Sequence, residues 1–314
     1  MRYLWRQAQL IVIGLLAMTT TIAETLAACD KDGLAVQVLG SGGPIADDAR
    51  ASSGYLLWQG GQAPVLVDIG GGVFQRFGEA GANLVDLELI ALTHFHTDHA
   101  ADLPALLKSG YFSPRQRPLA ISGPTGNRLM PSLGGFLRAM FAPGQGAFRY
   151  LSGYLDGSDG LFKLEPIEID ASTREPKAVL ERDNITVKAV GVHHGPIPTL
   201  GYVFTINDRR IAIGGDQNLS RSAFVDIAKG VDLLIMPLAI PEDAGRIARN
   251  LHATPSRVGR AAAQIQPGQL VLSHFMARSL QTMAANLTAI RKHYAGPVQL
   301  AEDMACLAVE PELE

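Results

Sequence analysis

Residues 93–99 read Thr-His-Phe-His-Thr-Asp-His, and His94, His96, Asp98 and His99 within that run can each donate an electron pair to a metal ion. Side chains alternate along extended backbone, so His94 and His96 point the same way where a strand enters a turn. Asp98 and His99 follow at the turn, where they can face a second ion beside the first. Imidazole with carboxylate suits Zn²⁺, with Mn²⁺ or Fe²⁺ as the alternatives. The apolar segment Leu87-Glu88-Leu89-Ile90-Ala91-Leu92 leads straight into the run. A polar histidine loop without a ligand is the bland alternative, and so dense a cluster at a strand end argues against it.

The H-x-H-x-D-H run resembles the signature of the metallo-β-lactamase superfamily, and the resemblance extends over nearly all of residues 34–310. The family pattern calls for a further histidine, a bridging aspartate and a last histidine, each at a strand end. The chain offers them in that order in Val190-Gly191-Val192-His193-His194-Gly195, Ile211-Ala212-Ile213-Gly214-Gly215-Asp216 and Leu270-Val271-Leu272-Ser273-His274-Phe275. By this resemblance His94, His96 and His194 hold one metal, Asp98, His99 and His274 hold the other, and Asp216 bridges both. The implied cofactor is a pair of divalent ions, Zn²⁺ first, and Asp98 is catalytic as well as a ligand. Two such ions lower the pKa of a shared water, leaving a bridging hydroxide at neutral pH, and polarise the scissile bond. No serine or cysteine nucleophile is then required.

His193 and His194 compete for the third position. The alternation Val190-x-Val192-x-His194 puts His194 in phase with the apolar face, so His194 is chosen and His193 stays as the alternative. Asp68 reads as an acid that orients a ligand or forms a turn. His252, in Asn250-Leu251-His252-Ala253-Thr254-Pro255, resembles the H-x-T segment of the ribonuclease Z branch, which implies a catalytic histidine assisting the leaving group. Its structural alternative is a helix-entry residue, with Thr254 capping and Pro255 in the first turn. Gly70-Gly71-Gly72 lacks a P-loop lysine and reads as a tight turn near the metals.

These residues need elements to position them. Alternating strands are expected at 34–39, 53–58 and 64–68, with a helix at 74–79 and the metal-delivering strand at 87–92. A helix at 101–109, a strand at 119–122 and a helix at 129–140 follow. Breakers such as Pro143-Gly144-Gln145-Gly146 and Asp156-Gly157-Ser158-Asp159-Gly160 make 142–180 an irregular zone, a natural place for a loop shaping the substrate mouth. Strands resume at 185–192, 201–206, 210–214 and 232–237. A helix at 255–265, the strand into Ser273-His274, a helix at 279–293 and strands at 298–300 and 305–309 complete the chain. The fold class is α/β, and the resemblance implies two sheets between helices, an αββα four-layer sandwich. Residues 29–314 are expected to form one hydrolase domain.

The chain's 314 residues suffice for a substantial core. Net charge is −3, 18% of residues are charged, and no basic run stands out, so no nucleic-acid partner is expected. Residues 1–28 read as a cleaved signal peptide: Arg2 and Arg6 form the positive region, Leu10 to Met18 the apolar one, and small residues lead to Leu26-Ala27-Ala28-Cys29. The protein is then exported, periplasmic or secreted. Leu-Ala-Ala-Cys also resembles a lipobox, which would lipidate Cys29 and make a membrane its anchor. Cys306 is the only other cysteine, and a Cys29–Cys306 disulfide is preferred over lipidation and over two free thiols. Such a bridge would close a very long loop and add on the order of 4 kcal/mol.

Leu39-Gly40-Ser41-Gly42-Gly43-Pro44, Ala51-Ser52-Ser53-Gly54-Tyr55, Gly201-Tyr202 and Ser273-His274-Phe275 together look like the ribonuclease Z and phosphodiesterase/arylsulfatase-like side of the superfamily. The chain departs from ribonuclease Z at Asp47 and Asp48, where a tRNA-binding enzyme would want basic residues. It departs again at Leu234-Ile235-Met236-Pro237, which lacks the acid that pairs with the H-x-T histidine; Glu242 is the one substitute. The resemblance implies an exported, metal-dependent hydrolase of a small ester, a phosphodiester or sulfate ester first. A carboxylic ester or lactone hydrolase, and a non-catalytic metal-binding periplasmic protein, are the alternatives. Oligomeric state is open.

Overall fold

The structure is a computed structural model that describes residues 29–182 and 184–309. The expected signal peptide, residues 1–28, lies outside the described residues. The strands in chain order are β1 (Leu34–Gly40), β2 (Gly54–Gln59), β3 (Gln62–Val67), β4 (Leu89–Ala91), β5 (Leu119–Pro124), β6 (Leu164–Ile169) and β7 (Lys177–Arg182). They continue as β8 (Ile185–His194), β9 (Ile197–Ile206), β10 (Arg209–Ile213), β11 (Leu233–Pro237), β12 (Gln269–Ser273), β13 (Val298–Leu300) and β14 (Cys306–Ala308). One sheet runs β14-β1-β2-β3-β4-β5-β6 and the other β13-β12-β11-β10-β9-β8-β7.

The helices are α1 (Val73–Glu79), α2 (Thr97–Ala100), α3 (Leu103–Gly110), α4 (Leu133–Phe141), α5 (Gly153–Asp156) and α6 (Ala223–Ile227). After them come α7 (Arg246–Leu251), α8 (Pro255–Ile265), α9 (Ala277–Leu280) and α10 (Met283–Arg291). Period-two alternation assigns each face of the first sheet. Val36, Val38, Leu57, Val65 and Val67 point inward to a core shared with Val187, Tyr202, Phe204 and Ile213 of the second sheet. Leu39, Leu56, Trp58, Leu66 and Ile90 point outward to Val73 and Phe77 of α1 and Leu106 and Leu107 of α3. Val258 and Ala262 of α8, with Ile290 of α10, pack on the second sheet. The outcome is the αββα sandwich.

Local sequence explains most boundaries. Gly60 and Gly61 have φ of 56° and 78° and join β2 to β3, a turn that needs positive φ at both positions. Ser132 caps α4 by accepting from the Gly135 N–H, so the helix starts later than expected. The expected helix at 279–293 is two, α9 and α10. The expected irregular zone at 142–180 holds β6 and β7, the two edge strands at one side of the sandwich. Pro166 within β6 masks that strand in the sequence and is tolerated because β6 pairs on one side only. No helix among the described residues is long and apolar enough to cross a membrane.

Strands β3 to β6 run parallel, as do β10 to β13. Parallel strands deliver loops from their carboxyl ends to one edge of the sheet, where ligands bind in open α/β folds. The chain ends after β4, β8, β10 and β12 carry the four segments singled out above.

Cys29 is bonded to Cys306 across 277 residues of sequence. The Cys29 sulfur that lipidation would take is therefore engaged, and the bridge ties the described N-terminus to β14 beside β1. Loss of both sulfurs, as Cys29→Ser with Cys306→Ser, is expected to lower unfolding free energy by about 5–6 kcal/mol through the freed loop of 277 residues. Urea denaturation of the two forms checks this, and equal midpoints would show that the bridge does not constrain the unfolded chain.

Candidate metal centre

The strand β4 ends at Ala91, and Leu92-Thr93 carries the chain into α2, which begins at Thr97. Gly70 lies against this loop so closely that a Cβ there would come within 2.1 Å of the Asp98 carbonyl oxygen, which explains the glycine at the turn. His94 Nε2 and His96 Nδ1 stand 3.0 Å apart. From β8, His194 turns into the same cluster, its ring 5.1 Å from that of His94 and 5.3 Å from that of His96. His193 faces the other way, with Nε2 3.3 Å from Asn250 Oδ1. The period-two phase of β8 therefore puts His194, not His193, with the metal-competent groups.

Asp216 follows β10 and sits among four imidazoles. Its oxygens lie 3.6 Å from His194 Nε2, 3.8 Å from His99 Nε2, 3.3 Å from His274 Nε2 and 3.8 Å from His252 Nδ1. Asp98 completes the second half, 3.2 Å from His274 Nε2 and 3.5 Å from His99 Nε2. The donors thus form the sets His94/His96/His194 and Asp98/His99/His274, with Asp216 reaching both sides.

The groups fit a pair of ions. Tetrahedral Zn²⁺ with bonds of about 2.0–2.1 Å to nitrogen spaces its ligand atoms by about 3.3 Å, close to the separations above. Within the cluster His99 Nε2, Asp216 Oδ1 and His252 Nδ1 are buried and have no hydrogen-bond partner. Each unpaired buried polar atom costs about 1–3 kcal/mol, and a cation held between His99 Nε2 and Asp216 Oδ1 would partner both.

A second layer of contacts orients the donors. His194 Nδ1 faces the Leu251 carbonyl at 2.9 Å, so a proton there leaves Nε2 free to bind metal. Asp68 accepts from the Thr93 N–H at 2.7 Å and the Thr93 hydroxyl at 2.9 Å, and its Oδ2 stands 2.7 Å from His99 Nδ1. Asp68 and His274 both adopt left-handed backbone, at φ 55° and 53°. Such residues cost about 1–3 kcal/mol and persist only where surrounding packing demands them. Sequence reasoning named Asp68 but missed Thr93 and the Leu251 carbonyl; the threonine beside the H-x-H run was the one available signal.

His252 is buried at the C-terminal end of α7, its ring 5.1 Å from that of His194 and 5.7 Å from that of His274. Glu242, the one substitute for a missing acidic partner, is not beside it. That carboxylate accepts from the Ser256 N–H at 2.8 Å and the Ser256 hydroxyl at 2.6 Å. It therefore caps α8 in place of Thr254, whose side chain makes no cap bond.

Burial holds His94, His96, His194 and His252 below an ordinary histidine, His252 down to about 3. Burial also pulls on His99 and His274, but facing carboxylates, Asp68 and Asp216 for His99 and Asp216 and Asp98 for His274, more than offset it and raise them. Asp98 and Asp216 stay well below the carboxylate range despite burial, because of the imidazoles around them. A depressed histidine contributes stability above its unfolded value of about 6.5 and loses it as pH falls toward the folded value. A raised one contributes below about 6.5 and loses it as pH rises through the folded value. Four depressed groups oppose two raised ones, so the metal-free protein should melt at lower temperature near pH 5 than near pH 7.5. Thermal scans by circular dichroism test this; a melting temperature that rises on acidification would contradict it.

Fold and donor set place the chain in one class, metal-dependent hydrolases of the metallo-β-lactamase fold. Residues 64–275 match the family model described as a beta-lactamase superfamily domain, and the chain belongs to that superfamily. It is 26% identical over 287 residues to ribonuclease Z of Mycobacterium avium (strain 104), covering 88% of this chain and 98% of that one. In structure it resembles the metallo-beta-lactamase fold protein YhfI from Bacillus subtilis, with a TM-score of 0.67, 20% identity and 88% and 99% of the two chains covered. It also resembles human tRNase Z, short form, with a TM-score of 0.64, 23% identity and 88% and 100% covered. The curated relative is named ribonuclease Z, and the two structures share the fold.

They correct one expectation. Absence of a nucleic-acid partner was inferred from net charge and the lack of a basic run, whereas curated relatives matching most of the chain are named ribonuclease Z. The physical reason is that net charge averages over the molecule. From Ala244 through Ile290 the chain carries Arg246, Arg249, Arg257, Arg260 and Arg278 and no aspartate or glutamate. All five arginines are exposed, on or beside the elements that deliver His252 and His274. Spread over 33 positions they form no run, which is why a search for runs passes over them.

Proposed function

We propose that the protein is a dinuclear metallophosphodiesterase that cleaves phosphodiester bonds of ribonucleotide chains, with His94, His96 and His194 holding one ion, Asp98, His99 and His274 the other, and Asp216 shared. The observation that carries this reading is the buried set of these donors with unpartnered atoms facing one another. The names of the relatives and the acid-free, arginine-bearing stretch beside the cluster favour a phosphodiester over a carboxylic ester or lactone. Two divalent ions bound there would supply Lewis acidity and activate water for attack on phosphorus.

The chain's own residues do the rest. Asp68 and Thr93 hold His99, and the Leu251 carbonyl holds His194, so the donors need no reorganisation when substrate arrives. The exposed arginines draw the phosphate toward the cluster. His252 is neutral in the free protein, and a phosphate anion brought against it favours its protonated form again. It is then placed to deliver a proton to the departing oxygen. Export is part of the proposal, supported by the pattern of residues 1–28 and by the Cys29–Cys306 bond, which suits an oxidising compartment.

Hydrolysis of bis(p-nitrophenyl) phosphate and of a short RNA by residues 29–314 tests the reading. Turnover of both that EDTA abolishes and Zn²⁺ or Mn²⁺ restores is expected. No turnover by protein with two metals bound would overturn it.

A further inference from the structure

At the amino ends of β4 and β5, the edge of the sandwich away from the metal donors, stands a group of exposed aromatic rings. Arg115 fixes the place. Buried there, it donates to the Leu84 and Leu87 carbonyls at 3.1 and 2.7 Å, just before β4, and to the Pro118 carbonyl at 2.7 Å, just before β5. Tyr111 and Phe112 lie a few residues upstream, at the end of α3. That helix follows the metal loop and carries the chain about 12 Å away from it.

Among the described residues six large apolar side chains are exposed, and three of them surround one cation. The Lys108 ammonium stands 4.3, 4.8 and 5.5 Å from the ring centres of Tyr111, Phe112 and Tyr150. A fourth exposed ring, Phe148, leads into the 3-10 turn Arg149–Leu151 that carries Tyr150. Phe112 is 76% exposed. Beside it an open groove of about 520 Å³ runs between α1 and α3, with Phe74, Phe77 and Leu106 in its walls. Apolar surface gathered in this way marks a contact face, whereas single exposed rings do not.

Charge says what it contacts. From Leu103 through Leu155 the chain carries Lys108 and five arginines and no aspartate or glutamate. Arg115 is buried and Arg117 pairs with Glu88. Lys108 and Arg149 remain beside the rings, with no carboxylate paired to either among the described residues. The acids that bound the stretch are engaged elsewhere: Asp102 accepts from the Gly72 and Phe74 N–H groups at 2.8 and 3.0 Å, and Asp156 from the Ser158 N–H at 2.9 Å. A second copy joined by a two-fold axis would set these cations against their equivalents. An RNA strand lying here would be led away from the donors. A bilayer with anionic headgroups suits both features, since aromatic rings settle at the headgroup boundary and lysine reaches to the phosphates above them.

We infer that this edge is a membrane-docking face. Phe112, Tyr111 and Tyr150 enter the headgroup boundary of an anionic phospholipid bilayer, Lys108 and Arg149 meet its phosphates, and the metal centre at the opposite edge stays open to solvent. This reading does not depend on the phosphodiester chemistry.

Sedimentation of residues 29–314 with vesicles tests it. Binding is expected to phosphatidylcholine mixed in equal parts with phosphatidylglycerol, weakened by salt and absent with phosphatidylcholine alone. Phe112→Ser should lower the partition constant at least about tenfold, the scale of burying one large apolar side chain, with the melting temperature unchanged. Lys108→Glu should lower it by a similar factor. Ile247→Ser removes a side chain that is 78% exposed near His252, at the other edge, and should leave partitioning as it was. No binding to the mixed vesicles, or equal losses in Phe112→Ser and Ile247→Ser, would overturn the docking face. So would a dimer in solution that Phe112→Ser dissociates, or RNA binding lost in Phe112→Ser while vesicle binding persists.

Discussion

Asp216→Asn is expected to reduce phosphodiester turnover at least about a thousandfold, the scale of losing charge stabilisation at a preorganised centre. The substitution preserves size and removes the charge that four imidazoles face. In the metal-free protein that carboxylate is the main group raising the proton affinity of His274 and, after Asp68, a further one raising His99, so both should fall, His274 more. With metal, one shared oxygen ligand is replaced by a neutral amide, and bound metal should drop below two ions per chain. Metal analysis of the purified variant reads the second effect independently of activity. Full activity with two ions retained would remove Asp216 from the bridging position.

His252→Ala should behave differently, and the contrast is informative. Its Nδ1 lies 3.8 Å from Asp216 and it belongs to one donor set, with His194 and Asp216. If its role is to deliver a proton, turnover should fall about a hundredfold, the lower range for general acid–base catalysis, with both ions kept. The defect should shrink for substrates whose leaving group needs no proton, so p-nitrophenyl esters should suffer less than RNA. Loss of one ion together with equal defects on both substrates would make His252 a ligand instead.

The candidate donor cluster was legible in the sequence to the degree that its members follow a local rule. His94 and His96 share a face because both stand on extended backbone, and Asp98 and His99 follow within one turn. His194 could be preferred to His193 from the apolar phase of β8 alone, and the structure turns it to the cluster. Asp216 and His274 were located by strand ends and by order along the chain, a matter of family resemblance more than of physics. What escaped depends on contacts between distant segments. Glu242 caps α8 from 14 residues away, and no periodicity reports that. The Leu251 carbonyl that orients His194 is a backbone atom, invisible in a list of side chains. The five arginines escaped because charge was sought as a run, and β6 escaped because Pro166 argues against a strand except at an edge. The αββα layering came from the family resemblance, since β1 to β3 are buried on both faces and alternation alone does not assign their layers.

The most direct test of the dinuclear assignment is the number of divalent ions bound per chain, measured by equilibrium dialysis of metal-free residues 29–314 against Zn²⁺ with elemental analysis. Two ions per chain are predicted, falling toward one in Asp98→Ala, which removes a donor from one set only. Fewer than one ion per chain in the unaltered protein, or two retained in both Asp98→Ala and Asp216→Asn, would contradict the assignment.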